Sequence, residues 1–97
     1  MIYRVFFKQF VSDTIENCSV DFALNQHDLD FYLVWNPHVF LGKEEVSEQL
    51  YKNICRALDC RDKYMDPHSN AYHEAGRAIM RATTREELVA LAEKYGF

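Results

Sequence analysis

Cys55, Cys60, His68 and His73 lie within one short span, and thiolate sulfur with imidazole nitrogen is the donor set that tetrahedral zinc takes. The spacing disfavours a metal. Cys55 and Cys60 stand five apart on what reads as a helix, so at about 100° per residue their side chains diverge by roughly 140°. Neither a CxxC knuckle nor a finger spacing accompanies them. They read as two partly buried thiols and two surface imidazoles, and no metal or cofactor is expected.

Catalysis has little else to stand on. His73-Glu74 opens an HExxH pattern, but four positions beyond His73 stands Arg77 where the second histidine belongs. Adjacent helical residues point about 100° apart, so His73 and Glu74 do not form a preset acid–base pair. A nucleophilic Cys55 or Cys60 would need a cation to lower its pKa, and Arg56 and Arg61 are neighbours only in sequence. Gly42, Gly76 and Gly96 are scattered, which removes a phosphate-cradling loop. The expectation is a non-enzyme. The alternative is a small enzyme or metal protein built on Cys55, Cys60, His68 and His73.

Two surfaces point instead to binding. His73, Arg77 and Arg81 recur every four residues, with Met80 beside them and Arg85 just beyond, which makes a basic ridge on one helix face. Arginine presents a rigid fork of donors to carboxylate or phosphate. Glu74 and Glu86 stand close enough to neutralise part of this ridge, and an ordinary solvated face is the competing reading. Near the N-terminus Ile2, Arg4, Phe6, Lys8 and Phe10 alternate with Tyr3, Val5, Phe7 and Val11, so both faces of that strand carry large apolar groups. If one sheet face is left uncovered, its aromatics invite a protein contact or stacking on single-stranded nucleic acid. Val39, Phe40 and Leu41 are candidate covering groups, and Asn36-Pro37-His38 a candidate pocket rim. No ribonucleoprotein consensus is present.

The elements that position these residues follow from periodicity. Ile2 to Val11 is dense in β-branched and aromatic residues; Cys18 to Leu24 and Leu29 to Trp35 alternate, giving three strands. Asn25-Gln26-His27-Asp28 is turn-rich and joins the second and third strands as a hairpin, with the first strand as antiparallel partner. Ile15, Cys18 and Phe22 also fit a helical spacing, which leaves a strand-helix-strand start open. A seam falls at Asn36 to Gly42. Beyond it Val46, Leu50, Ile54, Ala57 and Leu58 predict a helix from near Lys43, with Glu44, Glu45 and Glu48 in its first turns. Asp66-Pro67 reads as the cap and first residue of a second helix, with Ala71, Ala75, Ala78, Ile79 and Ala82 inward. Thr84 with Glu87 forms a capping box for a third helix that ends at Gly96. The expected fold is α+β, a three-stranded antiparallel sheet over residues 2–35 followed by helices over 43–59, 67–82 and 85–95, packed mainly on one sheet face.

Bulk properties bound the rest. The 97 residues suit one domain, and 48% hydrophobic content with seven Phe, six Tyr and one Trp supplies a core. A net charge of −4 is the wrong sign for an obligate DNA binder. Residues 1–42 carry Arg4 and Lys8 against Asp13, Glu16, Asp21, Asp28 and Asp30, so the cations concentrate in the helical half. Three cysteines, no secretory leader and no apolar run near ~20 residues fit a reducing cytoplasm and no membrane segment.

The reading is a small protein-binding module that docks on a larger protein or complex. Its candidate contacts are His73, Arg77, Met80, Arg81 and Arg85, or Arg4, Phe6, Lys8 and Phe10. A phage- or mobile-element-type regulator or inhibitor of a host complex, such as a CRISPR effector, commonly has this size and acidity. A nucleic-acid-binding accessory is the next alternative, and exposed sheet edges admit a homodimer.

Overall fold

β-branched and aromatic residues at Ile2–Phe10 form β1, the central strand of an antiparallel sheet ordered β2-β1-β3. The computed structural model describes residues 1–10, 16–35 and 38–97. β2 is Glu16–Ala23 and β3 is Val39–Val46, and both pair with β1. Helices follow at Gln26–Val34 (α1), Glu48–Tyr64 (α2), Asn70–Arg81 (α3) and Arg85–Tyr95 (α4). The three-stranded antiparallel sheet and the α+β class are as expected, with four helices where three were expected. Among the described residues no helix is long and apolar enough to cross a membrane.

The chain divides into two compact units, Met1–Ser47 and Glu48–Phe97. In the first, Tyr3, Val5 and Phe7 point to one side of β1, and α1 covers them. Val5, Phe7, Ala23 and Leu29 form the buried cluster, with Tyr3, Tyr32, Trp35 and Phe40 packed around it. Phe7 lies 5.8 Å from the Tyr32 ring and 5.5 Å from the Trp35 ring, within the range of favourable aromatic pairs. Tyr32 Oη donates to Asp21 Oδ2 at 2.5 Å, tying α1 to β2. Burial, then this bond to a carboxylate, pushes the Tyr32 phenol well above its ordinary range.

Leu29 to Trp35 is therefore helix, not the third strand. The polar cluster taken for a hairpin turn is a helix start: Asn25 Oδ1 accepts from Asp28 N at 2.9 Å, and Asp28 Oδ2 accepts from Leu24 N at 3.1 Å. Leu29 and Tyr32, three apart, share the inward face; Phe31, Leu33 and Val34 stay exposed, which gave the segment its deceptive alternation. The third strand is Val39–Val46. It takes up both the seam expected at Asn36 to Gly42 and the helix start expected near Lys43. Val39, Phe40 and Leu41, expected to cover a face, belong to the ladder, and Leu41 has no opposite residue where the register shifts between Phe6 and Phe7. Segment 16–23 is strand, which closes the helical alternative for its described part; Val11 and Ile15 lie outside the described residues.

The second unit is a three-helix bundle in which α2, α3 and α4 each pack on the other two. Ile54, Ala75, Ile79, Ala82 and Leu88 are buried. α2 starts at Glu48, so Glu44 and Glu45 are not in its first turn. α3 is capped by Ser69, whose Oγ accepts from Tyr72 N at 3.1 Å; Asp66, expected as the cap, instead holds the preceding turn by accepting from His68 N. Thr84 caps α4 by accepting from Glu87 N, and the Glu87 carboxylate in turn accepts from Thr83 N and Oγ1. Gly96 ends α4 at φ 81, the left-handed geometry glycine tolerates.

Candidate functional site

α4 is flanked by two open grooves within the helical unit. The α3/α4 groove has a volume of ≈ 440 Å³ and is lined by Glu74, Arg77, Ala78, Arg81, Lys94 and Tyr95. Helical repeat explains it: Glu74, Arg77, Ala78 and Arg81 occupy i, i+3, i+4 and i+7 of α3. Three cations face one carboxylate around a half-buried tyrosine. Arg81 Nη1 folds back onto the Arg77 carbonyl at 3.1 Å, which fixes its guanidinium along the helix. Arg77 and Arg81 thus line one groove, together with Lys94 and Tyr95 of α4. His73 is exposed with its ring 5.3 Å from that of Tyr72, and Met80 is half-buried.

Arg85 belongs to the other groove. Arg85, just beyond Arg81 in sequence, opens α4 at the expected helix bound, while Arg81 ends α3. The α2/α4 groove has a volume of ≈ 220 Å³. Its apolar lining is Ala57, Leu88, Val89, Ala92 and Phe97; Asn53, Arg56 and Cys60 line it from α2 and Arg85 from α4. No lining residue is acidic. Asn53, Arg56, Ala57 and Cys60 are one i, i+3, i+4, i+7 stripe, and Arg85, Leu88, Val89 and Ala92 are another. That repeat is visible in the sequence, where Arg56 also stands beside Cys55.

The sheet candidates are less available. Arg4 is 2% exposed, and its Nε donates to Glu44 Oε1 at 2.6 Å across the β1/β3 ladder. It presents no guanidinium to a partner. Phe6 and Lys8 are half-buried. Phe10 pairs with Glu16 through the backbone, and its side chain lies outside the described residues, as do Asn36 and Pro37. His38 packs 3.8 Å from the Trp35 ring. The larger apolar exposure of this unit is on α1 and β3, at Phe31, Leu33, Val34, Val39 and Leu41.

The cysteine and histidine set does not converge. Cys55 and Cys60 are half-buried on α2, His68 lies in the turn before α3, and His73 is on α3. Among the described residues no group of three or more His, Cys, Asp and Glu side chains is placed to hold a metal. A separate polar cluster joins α2 and α3. Arg61 stacks 3.9 Å from the centre of the Tyr72 ring and donates to Asp62 at 3.0 Å, while Tyr72 Oη donates to the same carboxylate at 2.5 Å. A Cβ on Gly76 would overlap the Arg61 guanidinium, so glycine is what admits this stack between α2 and α3. The Tyr72 hydroxyl, then Arg61, hold the Asp62 carboxyl below its usual range, and the bond to Asp62 raises the Tyr72 phenol. Since its bonds run between side chains of α2 and α3, its evident work is to clamp two helices.

Comparison with protein-family models, curated proteins and solved structures found no match.

Proposed function

We propose that the chain is a non-enzymatic protein-binding module that docks on a larger protein or complex through its helical unit, with the α3/α4 groove as the principal contact. The carrying observation is the gathering of Arg77, Arg81 and Lys94 around Tyr95 in a chain whose net charge is −4. Arginine forks beside an aromatic ring are the composition enriched in binding hot spots, and the cations favour an acidic partner surface. Arg77→Glu with Arg81→Glu should abolish capture of one dominant partner while the far-UV circular dichroism is unchanged. Capture that survives both reversals removes this surface.

The same forks also accept phosphate. A nucleic-acid-binding accessory would show affinity that falls steeply with salt, and absence of binding to single- and double-stranded probes at low salt excludes it. Small size and acidity support the further step that the module is a phage- or mobile-element-type regulator or inhibitor. Adding the purified chain to a CRISPR effector should then reduce target cleavage in proportion to its concentration. Cys18, Cys55 and Cys60, all thiols, support a reducing, cytoplasmic setting.

A further inference from the structure

The α2/α4 groove differs from its neighbour in two respects that together specify a ligand. Its apolar lining is open to solvent, with Val89 43% exposed. α2 and α4 each contribute one arginine to its lining, and no acid. Among the described residues neither Arg56 nor Arg85 is in an ion pair. Two cations held about an apolar depression without a carboxylate of their own are complementary to an apolar group flanked by negative charge. Pockets that enclose a free small molecule run to roughly 300–1,000 Å³. At ≈ 220 Å³ and open to solvent, this groove holds one large side chain, not a whole metabolite.

We infer that this groove is an anchor site for an acidic, apolar segment of a partner protein. One Leu-, Met- or Phe-sized side chain seats on Leu88, Val89 and Phe97 while carboxylates on either side of it engage Arg56 and Arg85. The inference rests on the reading that the helical unit is a docking surface and adds the chemistry of the docked segment. Ala57 and Ala92 are essential to it, because larger residues there would fill the depression. Cys60, half-buried at the rim, is a built-in reporter of occupancy.

The test is selection from a displayed library of random dodecapeptides against the folded full chain. Enriched peptides should share a large apolar residue with acids within four positions on both sides. A synthetic peptide of that class should lose about tenfold or more in affinity with Arg56→Glu or Arg85→Glu, lose comparably when its own acids become amides, and weaken as salt rises. It should also slow iodoacetamide alkylation of Cys60 while leaving that of Cys18 unchanged. Arg56→Gln and Arg85→Gln repeat the test without charge reversal, and unchanged far-UV circular dichroism certifies each variant. Enrichment of peptides without acids, or affinities indifferent to Arg56 and Arg85, overturns the inference. Partner capture that is lost with Arg77→Glu and Arg81→Glu but kept with Arg56→Glu and Arg85→Glu overturns it as well, and leaves the docking module standing.

Discussion

In Met1–Ser47 the buried space is filled by rings. Phe7 meets Tyr32, Trp35 and His38 within 5.8 Å, and Trp35 also contacts Phe31 at 5.4 Å. In Glu48–Phe97 the buried space is made small: Ala75, Gly76 and Ala82 let helices approach, with Ile54, Ile79 and Leu88 filling what remains. An aromatic cluster is harmed by loss of volume, whereas a closely packed alanine face is harmed by gain. The two units should therefore break in opposite ways. The only tryptophan, Trp35, lies in the first unit, so its fluorescence follows the sheet while far-UV ellipticity is dominated by the helices.

The largest expected effect is from Phe7→Ala, a cost of about 3–5 kcal/mol, seen in urea titration as an early change in Trp35 emission. Ala75→Leu should cost about 1–3 kcal/mol by overpacking, seen first in ellipticity. Should Ala75→Leu be tolerated without loss, the close-packing account of the helical unit is wrong. Removing a helix cap is smaller still, with Asn25→Ala and Thr84→Ala each costing about 1 kcal/mol. The first should alter Trp35 emission and the second should not.

The smallest effect is in pH. Asp62 is held below the usual carboxylate range by Tyr72 and Arg61. Its contribution is therefore full above the unfolded carboxylate pKa of about 4 and lost as pH falls through the lower folded value. The effect is minor because Asp62 is 54% exposed. Tyr32 is displaced upward, so its contribution is full below the unfolded phenol value of about 10 and lost as pH rises through the folded one. Tyr72 titrates upward too, and only the acid limb separates the units: Asp62→Asn should flatten the ellipticity transition there and leave Trp35 emission unchanged.

How much of this was legible depended on whether local signals agreed with tertiary ones. α4 was read correctly because Thr84, Glu87, Leu88 and Gly96 all favour the same helix. α1 was missed because Asn25 and Asp28 serve a hairpin turn or a helix cap equally well, and apolar residues surround that short helix on every side. β3 was missed because Lys43, Glu44 and Glu45 have poor strand propensity. Pairing with β1, including the Arg4–Glu44 bridge, overrides it. Of the groove proposed as a binding surface, the Arg77–Arg81 repeat was visible along one helix. Lys94, Tyr95 and Phe97 were not, since a groove is made by two helices and periodicity describes one at a time.

The charged run that hid β3 has a further consequence. Among the described residues β3 is an outer strand of the sheet, paired with β1 on one side only. Such an edge is a template on which another molecule's strand can add, and the sheet can then grow without limit. Three successive charges at Lys43, Glu44 and Glu45, followed upstream by a bulge at Leu41, make that edge hostile to an incoming strand. Replacing Lys43 and Glu45 by threonine would strengthen the strand and remove the protection, turning the chain toward fibrous association.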